Sequence, residues 1–145
     1  NMLFFTSDRG GGFGGKDIYY SSLQNGSWSK PKNAGKTINT PGDERYPFIH
    51  TDGTLYFSST GYPGFGGMDI FKSVPNKLGE FSKPENLGKP FNGPTDDFGF
   101  YLDGNYSNGF FSSDRSSRFF IFFLWDDIKY EIKIYNSYIR IISVY

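Results

Sequence analysis

Apolar residues over the first hundred positions come in short alternating runs, and none keeps a helical period. In TLYFSS (54–59), Leu55 and Phe57 alternate with Tyr56 and Ser58, so one face of an extended strand can be buried. RYPFIH (45–50), MDIFKS (68–73) and a short segment near EFSKP (80–84) complete a set of four predicted strands. Asp52-Gly53 separates the first two, and both residues tolerate the positive φ of a tight hairpin. Gly or Pro interrupts nearly every dozen residues, so the predicted class is all-β.

The pattern repeats. LFFTSDRGGGFGGKDIYYS from Leu3 aligns without gaps on LYFSSTGYPGFGGMDIFKS from Leu55, and WSKPKNAGKTINTPGDE from Trp28 aligns on FSKPENLGKPFNGPTDD from Phe81. A third copy begins at GFFSSDR (109–115). Units of about 40 to 50 residues with four short strands are the sequence signature of propeller blades. The expected architecture is a partial β-propeller of about two and a half four-stranded antiparallel blades over residues 1–115. Residues 116–145 form a divergent tail, with no Gly or Pro after Gly109. There, Asp127-Ile128 reads as a displaced Asp-Ile of the third copy, and Ile128, Tyr130, Ile132 and Ile134 alternate as a strand; a reading-frame change is the competing account. Because the pattern opens inside a blade and breaks after Arg115, the segment reads as part of a longer propeller with further blades.

The repeat decides how the glycines are read. Gly10, Gly12 and Gly15 alone fit the G-x-G-x-x-G spacing of a phosphate loop, but that loop needs a helix after its last glycine. Here Asp17-Ile18-Tyr19-Tyr20 is β-prone, and the second copy loses the spacing while keeping G-F-G-G-x-D-I. Gly12, Gly14, Gly15 and Asp17, with Gly64, Gly66, Gly67 and Asp69, are therefore predicted as structural turns, as are Asp52 and Gly53. Acidic residues recur in register, Asp17 with Asp69, Asp43-Glu44 with Asp96-Asp97 and Asp52 with Asp103. They are expected to accept hydrogen bonds from turn N–H groups, and calcium is the alternative. No cofactor is expected. Phe13 and Phe65 occupy equivalent positions, so inter-blade packing is their first reading; with Trp28 they could instead form a platform for a sugar or peptide. Asp8-Arg9 and Asp114-Arg115 read as surface or inter-blade ion pairs.

Composition narrows the function classes. The chain carries 21% aromatic residues, 19 Gly and 8 Pro, so large flat side chains must build the core between frequent turns. Fifteen basic residues balance fifteen acidic ones, leaving no basic surplus for a nucleic-acid partner. With no cysteine there is no disulfide framework, thiolate catalysis or cysteine-held zinc. No run approaches the roughly 18 apolar residues of a membrane span. His50 is the single histidine and no G-x-S-x-G elbow is present, so no hydrolase triad is expected.

The phrases GGFGGKDIY, INTPGDERYPFIHTDGTLYFSS and GFGGMDIF resemble the WD40-like β-propeller repeat of the TolB-related type, as found in the propeller region of OmpA-family bacterial cell-envelope proteins. The resemblance covers about residues 3 to 115. It implies a non-catalytic propeller at the periplasmic face of the outer membrane, binding an envelope protein or a peptidoglycan-associated partner. The alternatives are the propeller half of a peptidase whose catalytic domain lies elsewhere, and a carbohydrate-binding propeller.

Overall fold

The computed structural model describes residues 1–115 and, beyond them, the strands Ile121–Asp126 and Lys129–Ile134. The described residues are all-β, with no helix among them, and form three four-stranded antiparallel sheets. In the first sheet, β1 (Met2–Ser7) pairs with β2 (Asp17–Gln24), and β2 also pairs with the short β3 (Ser27–Trp28) and β4 (Lys32–Asn33). The second runs in chain order through β5 (Glu44–Ile49), β6 (Leu55–Ser59), β7 (Asp69–Ser73) and β8 (Glu85–Asn86). The third does the same through β9 (Asp97–Leu102), β10 (Asn108–Ser113), β11 (Ile121–Asp126) and β12 (Lys129–Ile134).

The repeat keeps its register where the strands enter and leave the glycine loops. Ser7 lies opposite Asp17 on β1 and β2, and Ser59 lies opposite Asp69 on β6 and β7. The predicted Asp-Gly hairpin joins β5 to β6: Gly53 takes φ +88°, its N–H reaches the His50 carbonyl at 2.9 Å, and Asp52 Oδ1 accepts from the Thr54 N–H at 2.8 Å. Both the second and third sheets bend early in their first strand. Tyr46 sits there at φ +55°, and Gly99 holds the equivalent place at φ +66°. A side chain in that left-handed region is costly, and Tyr46 stacks on Phe98 with ring centroids 5.2 Å apart.

Two expectations are corrected. The fourth strand of the second sheet lies at Glu85–Asn86, beyond the predicted 80–84. Pro84 has no N–H to give a ladder, so only after it does the chain pair with Phe71 and Lys72, while Phe81 makes one bridge to Pro75. Secondly, all five residues of β6 are buried, where alternation predicted one covered face. The second sheet is packed on both sides. Leu55, Phe57 and Phe71 meet Ile18 and Ile38 of the first repeat, while Tyr56, Ile70 and Phe91 meet Phe100, Leu102 and Phe111 of the third sheet. The first strand of each later sheet makes the join: β5 packs on β1 and β2, and β9 on β5, β6 and β7. In the tail, Tyr130, Ile132 and Ile134 fall within β12; Asp127-Ile128 lie outside the described residues.

Candidate functional site

The glycine loop that ends at β2 is held by the aspartate that follows it. Asp17 is buried, and its Oδ2 accepts from the Phe13 N–H at 2.6 Å and from Asn33 Nδ2 at 2.7 Å, while Oδ1 accepts from the Gly14 N–H at 3.1 Å. The second loop repeats the backbone part of this, with the Phe65 and Gly66 N–H groups both on Asp69 Oδ2 at 2.5 and 3.3 Å, while Asp69 Oδ1 and Asn86 Nδ2 make no hydrogen bond among the described residues. A second carboxylate braces each loop from the next repeat: Asp43 Oδ1 accepts from the Lys16 N–H, and Asp96 Oδ1 from the Met68 N–H, both at 2.8 Å. The glycines are required by proximity. A Cβ on Gly12 or Gly64 would meet the Asp17 or Asp69 carboxylate at 2.4 or 1.6 Å, and one on Gly15 or Gly67 would meet Asp43 or Asp96 at 2.4 or 2.5 Å.

The Phe13 and Gly14 N–H groups, which a phosphate-cradling loop would turn toward its ligand, point instead at a carboxylate, and the chain continues as a strand. The same geometry disfavours a cation at Asp17, whose oxygens face N–H donors. Among the described residues no three His, Cys, Asp or Glu side chains gather in a metal-holding group.

What the loops present outward is aromatic. Phe13 is 48% exposed and Phe65 53%, so neither packs between the sheets as first read. The braced turn aims each ring away from the core. Trp28 on β3 is 51% exposed, whereas its repeat equivalent Phe81 lies edge-on to Phe4 at 6.0 Å and joins the core between the first two sheets. No ring contact among the described residues joins Phe13, Phe65 and Trp28.

A polar lock ties the turn after β5 to the turn after β9. The buried His50 ring places Nε2 2.9 Å from the Asp103 carbonyl and Nδ1 3.0 Å from Asp52 Oδ1. Tyr106 lies against the ring at 4.1 Å and donates its hydroxyl to Asp52 Oδ2. Burial works to raise the Asp52 carboxyl, but hydrogen bonds from Tyr106, Thr54 and His50 outweigh it and hold the group well below the ordinary carboxylate value of 3.8. The bond to Asp52 in turn pushes the Tyr106 phenol up to about 12.

The two shifts define a pH window. A lowered carboxylate contributes stability that is present above its ordinary value and lost as pH falls through the folded one; a raised phenol contributes stability present below 10 and lost as pH rises through about 12. The melting-temperature difference between wild type and Tyr106→Phe should therefore be constant from about pH 5 to about pH 9 and shrink outside that range on both sides. A difference independent of pH would show that Tyr106 acts by packing alone.

Sequence reasoning missed the asparagines that carry most of the internal polar structure. Asn39 Oδ1 accepts from the Ile18 N–H at 2.8 Å while its Nδ2 donates to the Ile18 carbonyl at 2.9 Å and to Asn33 Oδ1 at 2.8 Å. Asn92 does the same to Ile70 and Asn86, at 2.8, 2.8 and 2.7 Å. The signal was present: NAGKTIN (33–39) and NLGKPFN (86–92) repeat two asparagines six apart. Buried Glu44 was read only as one of the recurring acids. Burial raises its carboxyl, opposed by hydrogen bonds from Thr40 and Ser59.

No model of a known protein family matches the chain, and no curated protein or solved structure does.

Proposed function

We propose that the three sheets are successive blades of a β-propeller, and that the protein is a non-catalytic scaffold of the bacterial cell envelope, working at the periplasmic face of the outer membrane. Its sheet-end loops hold an envelope protein or a cell-wall component. The observation that carries this reading is the pair of exposed phenylalanines, Phe13 and Phe65, at equivalent tips of loops whose backbones are fixed by buried aspartates. A large apolar ring on a rigid support loses little conformational freedom on binding, which favours recognition over chemistry. The engagement of both His50 ring nitrogens supports the non-catalytic reading, since no free base remains there.

The test uses peptidoglycan sacculi in two preparations, bare and with their tightly bound envelope proteins. Retention on either, reduced at least about tenfold in the Phe13→Ala/Phe65→Ala double variant with an unchanged melting temperature, is the expected result. Retention on bare sacculi identifies the wall, and retention only on the protein-bearing ones identifies a protein partner. No retention on either, or retention that ignores the two phenylalanines, would overturn the proposal.

A further inference from the structure

The second sheet holds one side chain in a backbone conformation that its counterpart in the third sheet gives to glycine. Both β5 and β9 carry a bulge: Tyr46-Pro47 stand opposite Phe57, and Gly99-Phe100 stand opposite Phe111. The leading residue of each bulge takes a positive φ, which Gly99 accepts without a steric penalty at +66°. Tyr46 takes +55° at the same place, and the proline after it restricts its backbone further. Burial does not recover the cost, because Tyr46 stays 46% exposed. A bulge re-aims the side chain at its head, and strain of this kind persists where one direction of a side chain is needed.

One face of the Tyr46 ring rests on Phe98 of β9, with centroids 5.2 Å and planes 26° apart. Phe98 holds the position that Arg45 fills in the second sheet, so the third copy has Phe-Gly where the second has Arg-Tyr, and its phenylalanine becomes the floor under the tyrosine. Beside the ring, Arg45 NH2 donates to Asp43 Oδ2 at 2.5 Å, and both side chains are partly exposed. Asp43 is fixed through its other oxygen, which accepts from the Lys16 N–H at 2.8 Å. Each charge holds the other: Arg45 keeps the Asp43 carboxyl below its ordinary value, and Asp43, with the Tyr46 phenol adding to it, raises the Arg45 guanidinium. The polar pair therefore stands at the hydroxyl end of the ring. β5 packs on β1 and β2 and on β9, so Tyr46 is exposed on a strand that has neighbours on both sides.

We propose that Tyr46, Phe98, Arg45 and Asp43 form a binding site for a neutral saccharide, whose pyranose ring lies on the open face of Tyr46 with its rim hydroxyls on the Asp43–Arg45 pair. A ring backed by a second ring offers the C–H face of a sugar a flat support that loses little freedom on binding. The pair carries no net charge, so an anion gains from Arg45 what it loses to Asp43, and a cation the reverse. A hydroxyl uses both, donating to the carboxylate and accepting from the guanidinium. A β-1,4-linked chain of glucose-type rings fits best, since its equatorial substituents leave the ring faces free to stack. The site is separate from the Phe13 and Phe65 loop tips, and the inference does not rest on the envelope reading.

The experiment titrates the 145-residue chain with cellotetraose and with the β-1,4-linked tetramer of N-acetylglucosamine, followed by isothermal titration calorimetry. Saturable binding of at least one is the expected result, weakened at least about tenfold by Tyr46→Gly and about fivefold by Arg45→Gln, and kept within about threefold by Tyr46→Phe. Melting temperatures separate a lost platform from a lost fold. Tyr46→Ala keeps a Cβ on the left-handed backbone and Tyr46→Gly removes it, so both should lose the sugar while Tyr46→Gly melts above Tyr46→Ala. Binding should also survive the Phe13→Ala/Phe65→Ala change, which keeps this result apart from the loop-tip reading. No saturable binding of either sugar, binding indifferent to Tyr46, or binding lost in the loop-tip variant and kept in Tyr46→Gly would overturn the proposal.

Discussion

Replacing Asn92 by alanine should destabilise the fold by about 3 to 5 kcal/mol, a large fraction of the roughly 5 to 15 that holds a domain together. The side chain is 1% exposed and lies between Ile70 on β7 and Asn86 on β8, in the polar seam beside the core that joins the second and third sheets. Alanine strips the Ile70 N–H of its acceptor in a place water does not reach, and an orphaned buried donor costs about 1 to 3 kcal/mol. The Ile70 carbonyl keeps the Leu87 N–H at 3.1 Å, and Asn86 Oδ1 keeps the Gly88 N–H at 2.7 Å, so those two losses are partial, near 1 kcal/mol each. Asn92→Asp should also fall below wild type. It retains an acceptor for Ile70 but turns carboxylate oxygen toward the Ile70 carbonyl and Asn86 Oδ1. Urea unfolding decides: both variants should lower the midpoint with an unchanged slope, alanine by more than about 1 M. Wild-type midpoints would show that the asparagines follow the fold without holding it.

The unequal legibility of these features has a physical basis. Hairpins and glycine loops are local, so Asp52-Gly53 and the GFGGxDI frame could be read from adjacent residues, and the loops became structural turns once two copies were compared. The two-sided burial of β6 depends on a neighbouring sheet at each face, which alternation within TLYFSS does not encode. Tyr56 reads as a surface residue until Phe100 stacks on it at 4.8 Å. Phe13 and Phe65 misled in the opposite sense, since equal spacing shows equal environment but not which environment. The asparagines were passed over because the residue type suggests a turn, and only Asn39 and Asn92 in place show one amide clasping both backbone groups of a strand residue. Arg9 and Arg115 set the limit of such reasoning: the same Ser-Asp-Arg tripeptide binds Asp97 and the Phe91 carbonyl through Arg115, whereas Arg9 lies over the Phe5 and Tyr19 rings.

Gly66→Ala, with Gly14→Ala, should be among the most damaging of the glycine substitutions, and Gly10→Ala among the mildest. A Cβ on Gly66 would lie 2.0 Å from the Thr95 carbonyl oxygen and 2.8 Å from that of Gly93, and one on Gly14 would lie 2.3 and 2.2 Å from those of Thr40 and Gly42. These are backbone atoms of the segment leading to the next sheet, so no rotamer change relieves the clash. Withdrawing the loop would break the bonds that tie it to that segment, Met68 N–H to Asp96 at 2.8 Å and Asp97 N–H to the Met68 carbonyl at 2.7 Å. Overpacking of this kind costs about 1 to 3 kcal/mol before those bonds are counted, so Gly66→Ala should lose about 3 kcal/mol or more. At Gly67 the Cβ meets only Asp96 Oδ1, at 2.5 Å, a side-chain atom that can turn aside at the cost of the Met68 bond, and the loss should be nearer 1 to 2 kcal/mol. Gly10 has nothing within 4 Å and an ordinary φ, so alanine there should change stability by no more than a few tenths, or raise it by restricting the unfolded chain. Thermal melts of the three variants should rank Gly66→Ala below Gly67→Ala below Gly10→Ala, and added ATP should shift none of them. Equal melting of Gly66→Ala and Gly10→Ala would show that the loop does not lie on residues 93–95, and with it would go the rigid support on which Phe65 is held outward.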